Sequence, residues 1–182
     1  MFDYSDRDLI LRARRGDAGA FGELVKRTQS AVFNVCHRLM GERRDAEDMA
    51  QEVFLRAYQR LDTFDIERPF LPWIRRVAAN LCFNRLAAQV SEPPPLDEER
   101  DMASPDEQPP PQIEQRQLSE RVKMALSCLP PRYRIMIELR HYQELSYEEI
   151  SETLHLPLST VKSDLFRARK ALAEKLKNES SF

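Results

Sequence analysis

Apolar residues recur every three or four positions along most of this chain, the spacing that lines one face of an α-helix. Ser5 followed by Asp6 and Asp8 reads as a helix start, with acids beside the positive end of the helix dipole. A second start falls at Gly16-Asp17. From there Phe21, Leu24, Val25, Val32, Val35, Cys36 and Leu39 hold helical spacing until Gly41, a residue suited to ending a helix. A third helix is expected from about Asp45 to Leu61, with Ala46, Met49, Ala50, Val53, Phe54, Ala57 and Leu61 as its apolar stripe. After the break at Asp62-Thr63-Phe64-Asp65, Pro69 suits the first turn of a fourth helix. Its stripe is Phe70, Trp73, Ile74, Val77, Ala78, Leu81 and Leu86.

The pattern stops at about Ala88. Through Pro111 the chain carries Pro93-Pro94-Pro95, Pro105 and Pro109-Pro110-Pro111 and few apolar side chains. Such a stretch buries too little surface to offset its ordering entropy, so a flexible, acidic, proline-rich linker is expected. Helical spacing returns at Ile113, Leu118, Val122, Ala125, Leu126 and Leu129. Pro130-Pro131 stops that helix and opens another bearing Ile135, Met136 and Leu139. The fold expected is all-α: two small helical domains, 1–87 and 113–182, joined by a linker at 88–112.

The last stretch is the most informative. Ser146-Tyr147-Glu148-Glu149 is a capping box, in which the serine side chain and the Glu149 carboxylate exchange hydrogen bonds with each other's backbone N–H. The helix it opens turns Ile150 and Leu154 inward, and His155-Leu156-Pro157-Leu158 makes a short corner. Ser159 or Thr160 is the expected cap of the following helix. One side of that helix carries Val161, Leu165, Ala168, Leu172 and Leu176; the other carries Lys162, Ser163, Arg167, Arg169, Lys170, Lys175 and Lys177. A short helix, a fixed corner and a basic second helix form the geometry that lays one helix in the DNA major groove. The plainer reading of the same residues is an αα-hairpin with a solvated basic face.

Net charge changes the picture once it is divided. The total of −2 splits into +2 for residues 1–86, −6 for 87–112 and +2 for 113–182, so an acidic middle hides two basic flanks where a polyanion could bind. Residues 68–85 contain Arg68, Arg75, Arg76 and Arg85 and no acid. Phe64, Phe70 and Trp73 lie beside them, with Asn80 and Asn84 one turn apart. Cations for phosphate and aromatics for stacking are what single-stranded nucleic acid sites use, although Phe70 and Trp73 fit the core stripe equally well. Asp45 and Glu47 complement the dipole at the start of the third helix, while Asp48, Gln51 and Glu52 share a face that could dock a protein.

Cys36, Cys82 and Cys128 are widely spaced, which favours reduced thiols, most of them buried. No metal-ligand cluster, phosphate-binding loop or nucleophile motif occurs, so neither an enzyme nor a cofactor is expected. No apolar run approaches the roughly 20 residues that span a bilayer, and the acidic start is unlike a signal peptide. A cytoplasmic protein without membrane insertion is expected.

Taken together, Asp17-Ala18, Ala20-Phe21 and Glu23-Leu24-Val25, then Asp45 through Phe54, then Trp73 through Asn80, resemble region 2 of bacterial extracytoplasmic-function sigma factors. Leu129-Pro130, Arg132-Tyr133-Arg134, Leu145 through Ser151 and Thr160 through Arg169 resemble their region 4. The resemblance implies a promoter-specificity subunit of RNA polymerase that recognises −10 and −35 elements. It implies that Asp45, Asp48, Gln51, Glu52 and Phe54 dock on the β′ coiled coil, with a further contact to the β flap. Phe64, Phe70, Arg75, Arg76, Asn80 and Asn84 would hold the unpaired −10 strand. Ser159, Thr160, Lys162, Ser163, Phe166, Arg167 and Lys170 would meet the −35 duplex. Asp164, where a basic residue is common in the family, would repel phosphate there or accept from a cytosine amino group. Asn84 stands where an Asp is common. The linker would run towards the polymerase active-centre channel. An anti-sigma protein is the family's usual regulator, and the free chain is expected to be a monomer. The other reading is a free-standing helix-turn-helix regulator, which usually dimerises across two half-sites; the sequence leaves no obvious helix for that.

Overall fold

A computed structural model of the chain describes residues 4–91 and 121–178. Helices α1 (Asp6–Arg14), α2 (Ala18–Met40), α3 (Arg43–Gln59) and α4 (Phe70–Ser91) precede the gap. A 3-10 turn, Leu61–Thr63, lies between α3 and α4. After the gap, residues 121–127 are helical (α5). They are followed by α6 (Pro131–Ile137), a π turn (Glu138–Tyr142), α7 (Tyr147–Leu154) and α8 (Leu158–Asn178). The described residues contain no strand.

The helix ends follow from local chemistry. Ser5 caps α1 by accepting from the Asp8 N–H, and Asp17 caps α2 by accepting from the Ala20 N–H at 3.0 Å. Asp17 also takes both Arg12 nitrogens, at 2.7 and 3.0 Å, which fixes the α1–α2 corner. The Ala20 N–H and the Arg12 guanidinium together hold the Asp17 carboxyl below its ordinary range. Gly41, with φ +87°, ends α2 in a conformation that a side chain would strain. The chain then re-enters helix at Arg43, two residues before the expected Asp45, because Glu42 is already extended and in the cap position.

Two further boundaries differ from expectation. The fourth helix runs through Ser91, beyond the anticipated end at 87. Helix α8 begins at Leu158, and the Pro157 carbonyl accepts from the Val161 N–H at 3.1 Å. Pro157 therefore occupies the cap position, and Ser159 and Thr160 lie inside the first turn rather than capping it. A proline just ahead of a helix loses nothing by lacking an N–H, which makes the corner itself the start signal. Most of the acidic segment lies outside the described residues.

Leu24, Val32, Val35 and Leu39 of α2 pack with Val53 and Ala57 of α3 and Ile74, Ala78 and Cys82 of α4, all buried. Leu9 and Ile10 of α1 close one end. In the second group Ile135, Met136 and Leu139 meet Ile150, Leu154, Val161, Leu165 and Ala168. The two groups are not separate: their buried side chains form one continuous apolar cluster, with α6 packed on α2 and α4.

Candidate nucleic-acid interface

The C-terminal helices build a closely tied helix-corner-helix unit. In the capping box the Glu149 N–H donates to Ser146 Oγ at 3.1 Å, and the Ser146 N–H donates to Glu149 Oε2 at 2.8 Å. The Ser146 N–H, with a smaller contribution from the Arg76 guanidinium, holds the Glu149 carboxyl below its ordinary range. Helix α7 ends at His155, which takes the left-handed conformation with φ +53°. Across this corner the Leu156 N–H donates to the Ser151 carbonyl at 3.1 Å, and Ser151 Oγ donates back to the Leu156 carbonyl at 2.6 Å. The angle between α7 and α8 is thus fixed by backbone bonds as well as by Ile150, Leu154, Val161 and Leu165.

On α8 the buried positions Val161, Leu165 and Ala168 leave Lys162, Ser163, Phe166, Arg167 and Lys170 on the opposite, exposed side. Phe166 is 70% exposed, an unusual position for a large apolar ring unless it meets a partner such as a base edge. Ser159 is exposed and Thr160 half-buried at the start of the same helix. Asp164 does not belong to this face. It is 5% exposed, and Arg132 Nε donates to its Oδ2 at 2.6 Å. The expectation that Asp164 would repel phosphate or accept from a cytosine amino group is corrected: it lies on the buried arc of α8 and ties that helix to α6.

The basic helix α4 is arranged differently from expectation. Phe64 and Phe70 are 5% and 2% exposed. Their rings cluster edge-on, 5.8 Å apart, and each packs against Trp73, at 4.7 and 5.5 Å. Stacking on bases by Phe64 or Phe70 does not fit this geometry; burying two phenyl rings favours the core strongly. Their role here is to anchor the loop between them, whose Asp65, Glu67 and Arg68 are exposed. Arg14 secures the same loop by donating to the carbonyls of Leu61 and Phe64, a tie that no local sequence pattern announces. Asn84 and Arg85 are exposed and Asn80 is half-buried. Arg75 and Arg76 are half-buried and meet residues of the second group: Arg75 Nη2 donates to the Tyr142 carbonyl and Arg76 Nη2 to Glu149 Oε1, both at 3.0 Å.

The acidic face of α3 is open. Asp45, Asp48 and Gln51 are exposed, while Glu52 and Phe54 are half-buried, with Glu52 accepting from Arg56 Nε at 2.8 Å. Gln51 and Phe54 also line a groove of about 630 Å³ between α2 and α3. Its other lining residues are Val25, Gln29, Ser30, Phe33 and Asn34 from α2 and Arg43, Glu47 and Ala50 from α3. The α2 wall was missed from sequence. Its signal was Phe33, an aromatic lying off the apolar stripe of its own helix.

Cys36 and Cys82 are buried and Cys128 is exposed. The neighbouring Cys36 thiol, together with burial, holds the Cys82 thiol far above its ordinary range, so it stays protonated. Burial, with Arg169 and Arg140 nearby, lowers the His141 imidazole's affinity for a proton. Among the described residues no group of His, Cys, Asp and Glu is placed to hold a metal, and no helix is long and apolar enough to cross a membrane.

Comparison with known proteins bears on both groups of helices. Residues 24–91 match the family model described as Sigma-70 region 2, and residues 119–172 match Sigma-70, region 4. The chain is 34% identical over 178 residues to the ECF RNA polymerase sigma factor SigW of Bacillus subtilis, covering 93% of this chain and 95% of that protein. It is 34% identical over 189 residues to the ECF RNA polymerase sigma-E factor of Escherichia coli K12, covering 94% of each. Among solved structures, CnrH in complex with the cytosolic domain of CnrY aligns with a TM-score of 0.60 at 26% identity, over 95% of this chain and 97% of that one.

Proposed function

Because this chain belongs to the extracytoplasmic-function group of the sigma-70 family of RNA polymerase sigma factors, we propose that it directs promoter choice through three separate surfaces. The outward side of α8 reads the −35 duplex. Lys162, Arg167 and Lys170 meet phosphate or guanine, Ser163 bonds a base edge, and Phe166 lies against a thymine methyl or sugar. Ser159 and Thr160 approach the backbone at the start of the helix. On α4, Arg75, Arg76, Asn80 and Asn84 hold the unpaired −10 strand, while Phe64 and Phe70 shape the adjoining loop from beneath. Asp45, Asp48, Gln51, Glu52 and Phe54, together with the groove between α2 and α3, dock on the β′ coiled coil of core polymerase.

The observation that carries this reading is the segregation on α8. Between Ser159 and Lys170 every buried position serves the α6–α7 packing, and the exposed positions left over are cationic, hydroxylated or aromatic. The functional units proposed are residues 1–87 and 113–182, joined by the linker at 88–112. The chain works in the cytoplasm as a monomer until it joins polymerase, and it contributes recognition rather than catalysis. An anti-sigma protein is the proposed regulator; the similar CnrH has been solved in complex with a protein partner, the cytosolic domain of CnrY.

Two variants test the division of labour. Asp48→Arg with Glu52→Arg reverses two charges on the docking face and should abolish capture by immobilised core polymerase, with the helical circular dichroism unchanged. Arg167→Ala should leave capture intact and weaken use of the −35 element by roughly 5- to 150-fold, as for loss of one base contact worth ~1–3 kcal/mol. Equal loss of capture in both variants would remove the assignment of separate surfaces.

A further inference from the structure

The chain leaves the 3-10 turn at Phe64 with φ −70° and ψ 133°, and from Asp65 to Pro69 it forms neither helix nor strand. Asp65 organises the tip of this loop. Its Oδ1 accepts from the Glu67 N–H at 3.1 Å, its carbonyl accepts from the Arg68 N–H at 3.0 Å, and its Oδ2 lies 3.4 Å from Arg68 Nε. These bonds are internal to the tip, so they set its curl and not its direction. The buried Phe64 and Phe70 rings fix where the two ends of the loop lie. A ring does not fix which way the Phe64 peptide faces, and that planar unit sets the direction in which Asp65 departs.

Arg14, in the last turn of α1, holds that peptide. Its Nε donates to the Leu61 carbonyl at 3.0 Å, and its Nη2 donates to the Phe64 carbonyl. The Leu61 carbonyl also accepts from the Phe64 N–H at 3.2 Å, so the guanidinium secures both ends of the 3-10 turn. A planar guanidinium keeps its donors in a fixed fork, which a lysine ammonium cannot imitate. Arg14 is half-buried, where water competes less for such bonds. We infer that Arg14 is a positioning residue for −10 recognition: without touching DNA, it fixes the direction in which the Asp65–Arg68 tip meets the strand. This deepens the proposed −10 reading of α4 with its adjoining loop, and it rests on that reading. Helix α1 thereby takes part in promoter choice, although it lies ahead of residues 24–91, the segment that matches Sigma-70 region 2.

Direction matters because the tip carries both signs of charge. Asp65, Glu67 and Arg68 are all exposed. A strand phosphate is attracted by Arg68 and repelled by the two acids, so rotating the tip changes the sign that a phosphate meets. Helix α1 touches the tip a second time, where Arg7 Nη1 lies 2.9 Å from Glu67 Oε1. The side chains of that pair are 55% and 67% exposed, so it contributes little beside the carbonyl fork. The two arginines of one helix therefore make a matched comparison, one holding backbone and the other only a solvated charge.

The test uses the full chain with core polymerase and a promoter recovered from a run-off library, each −10 position then being substituted singly. Arg14→Lys keeps the charge and the helix but loses the fork; Arg14→Ala removes the donors altogether. Either variant should lower transcription from the original −10 about tenfold, roughly the loss of one base contact, and narrow its advantage over the substituted sequences by a similar factor. Capture by core polymerase and the penalty for −35 substitutions should match the parent chain. Hydrogen exchange at the Phe64 amide should be faster in Arg14→Lys, because the turn it closes is no longer held. Arg7→Ala should leave transcription, capture and both penalties unchanged. The parent's −10 advantage in a folded Arg14→Lys chain would overturn the inference, as would its loss with unchanged exchange at the Phe64 amide. An equal loss in Arg7→Ala would overturn it too, by making charge on α1 responsible instead of the fork. So would −10 and −35 penalties that weaken together, or failure of both Arg14 variants to fold, since Arg14 would then be a general support of the structure. If starts made by the parent chain ignore −10 substitutions, the −10 reading falls and the inference with it. If they respond equally in the parent and in Arg14→Lys, the inference alone falls.

Discussion

Removing the two partners of the Arg132–Asp164 pair should cost unequal amounts, and the inequality follows from their surroundings. The bond is short, 2.6 Å from Nε to Oδ2, but the side chains are 46% and 6% exposed respectively. Asp164→Ala frees a guanidinium that can turn into water. The loss is then one charge-assisted hydrogen bond, at the lower end of the ~1.5–3 kcal/mol range, or about 1.5 kcal/mol. Arg132→Ala instead strands a carboxylate inside the α6–α8 contact. Breaking a buried pair from that side costs ~3–5 kcal/mol, and the partial exposure of the pair places this case near 3 kcal/mol. Because both variants remove the same bond, the double variant should cost less than the sum of the singles. Urea unfolding at neutral pH, followed by far-ultraviolet circular dichroism, measures all three. In parallel, Asp164→Ala should leave −35 sequence preference unchanged in promoter-library transcription. Equal costs for the two single variants, or a shifted base preference for Asp164→Ala, would refute the placement of Asp164 as a strut of the fold.

Other perturbations separate packing from recognition. Ser146→Ala deletes the acceptor of the capping box and should destabilise the C-terminal unit by about 1 kcal/mol in the same urea experiment. Phe70→Ala empties a fully buried ring position and should cost ~3–5 kcal/mol, whereas an exposed stacking residue would cost almost nothing in stability. Glu149 has a folded-state proton affinity below its unfolded one. Its stabilising contribution is therefore complete above the ordinary carboxylate value of about 4.3 and is lost as pH falls through the folded value. The stability gap between the parent and Glu149→Gln should accordingly be constant above about pH 5 and shrink below it.

The helices were legible because their apolar spacing and caps are local properties. Asp17, Gly41 and the Ser146–Glu149 box each act within a few residues, and each appears where the sequence places it. The exposed side of α8 was legible for the same reason, since helical period alone puts Lys162, Ser163, Phe166 and Arg167 opposite Val161 and Leu165. What escaped was tertiary. Phe64 and Phe70 satisfy the residue types of a stacking site, and only the packing of Trp73 between them shows that burial prevails. Asp164 read as a charge beside a DNA-reading position because its partner lies 32 residues away in sequence. The Arg38–Glu138 ion pair between α2 and the π turn spans 100 residues, beyond any periodicity. The α2 wall of the groove between α2 and α3 could have been found from Phe33, whose place off the apolar stripe is a local signal.

The most direct test of the central reading is run-off transcription from a promoter library with purified core polymerase and the full chain. New start sites that depend on both the −35 and −10 sequences, and that vanish with Asp48→Arg and Glu52→Arg, are predicted. Unchanged polymerase starts, with a dimer of the chain shifting duplex DNA unaided, would contradict it and identify a free-standing regulator.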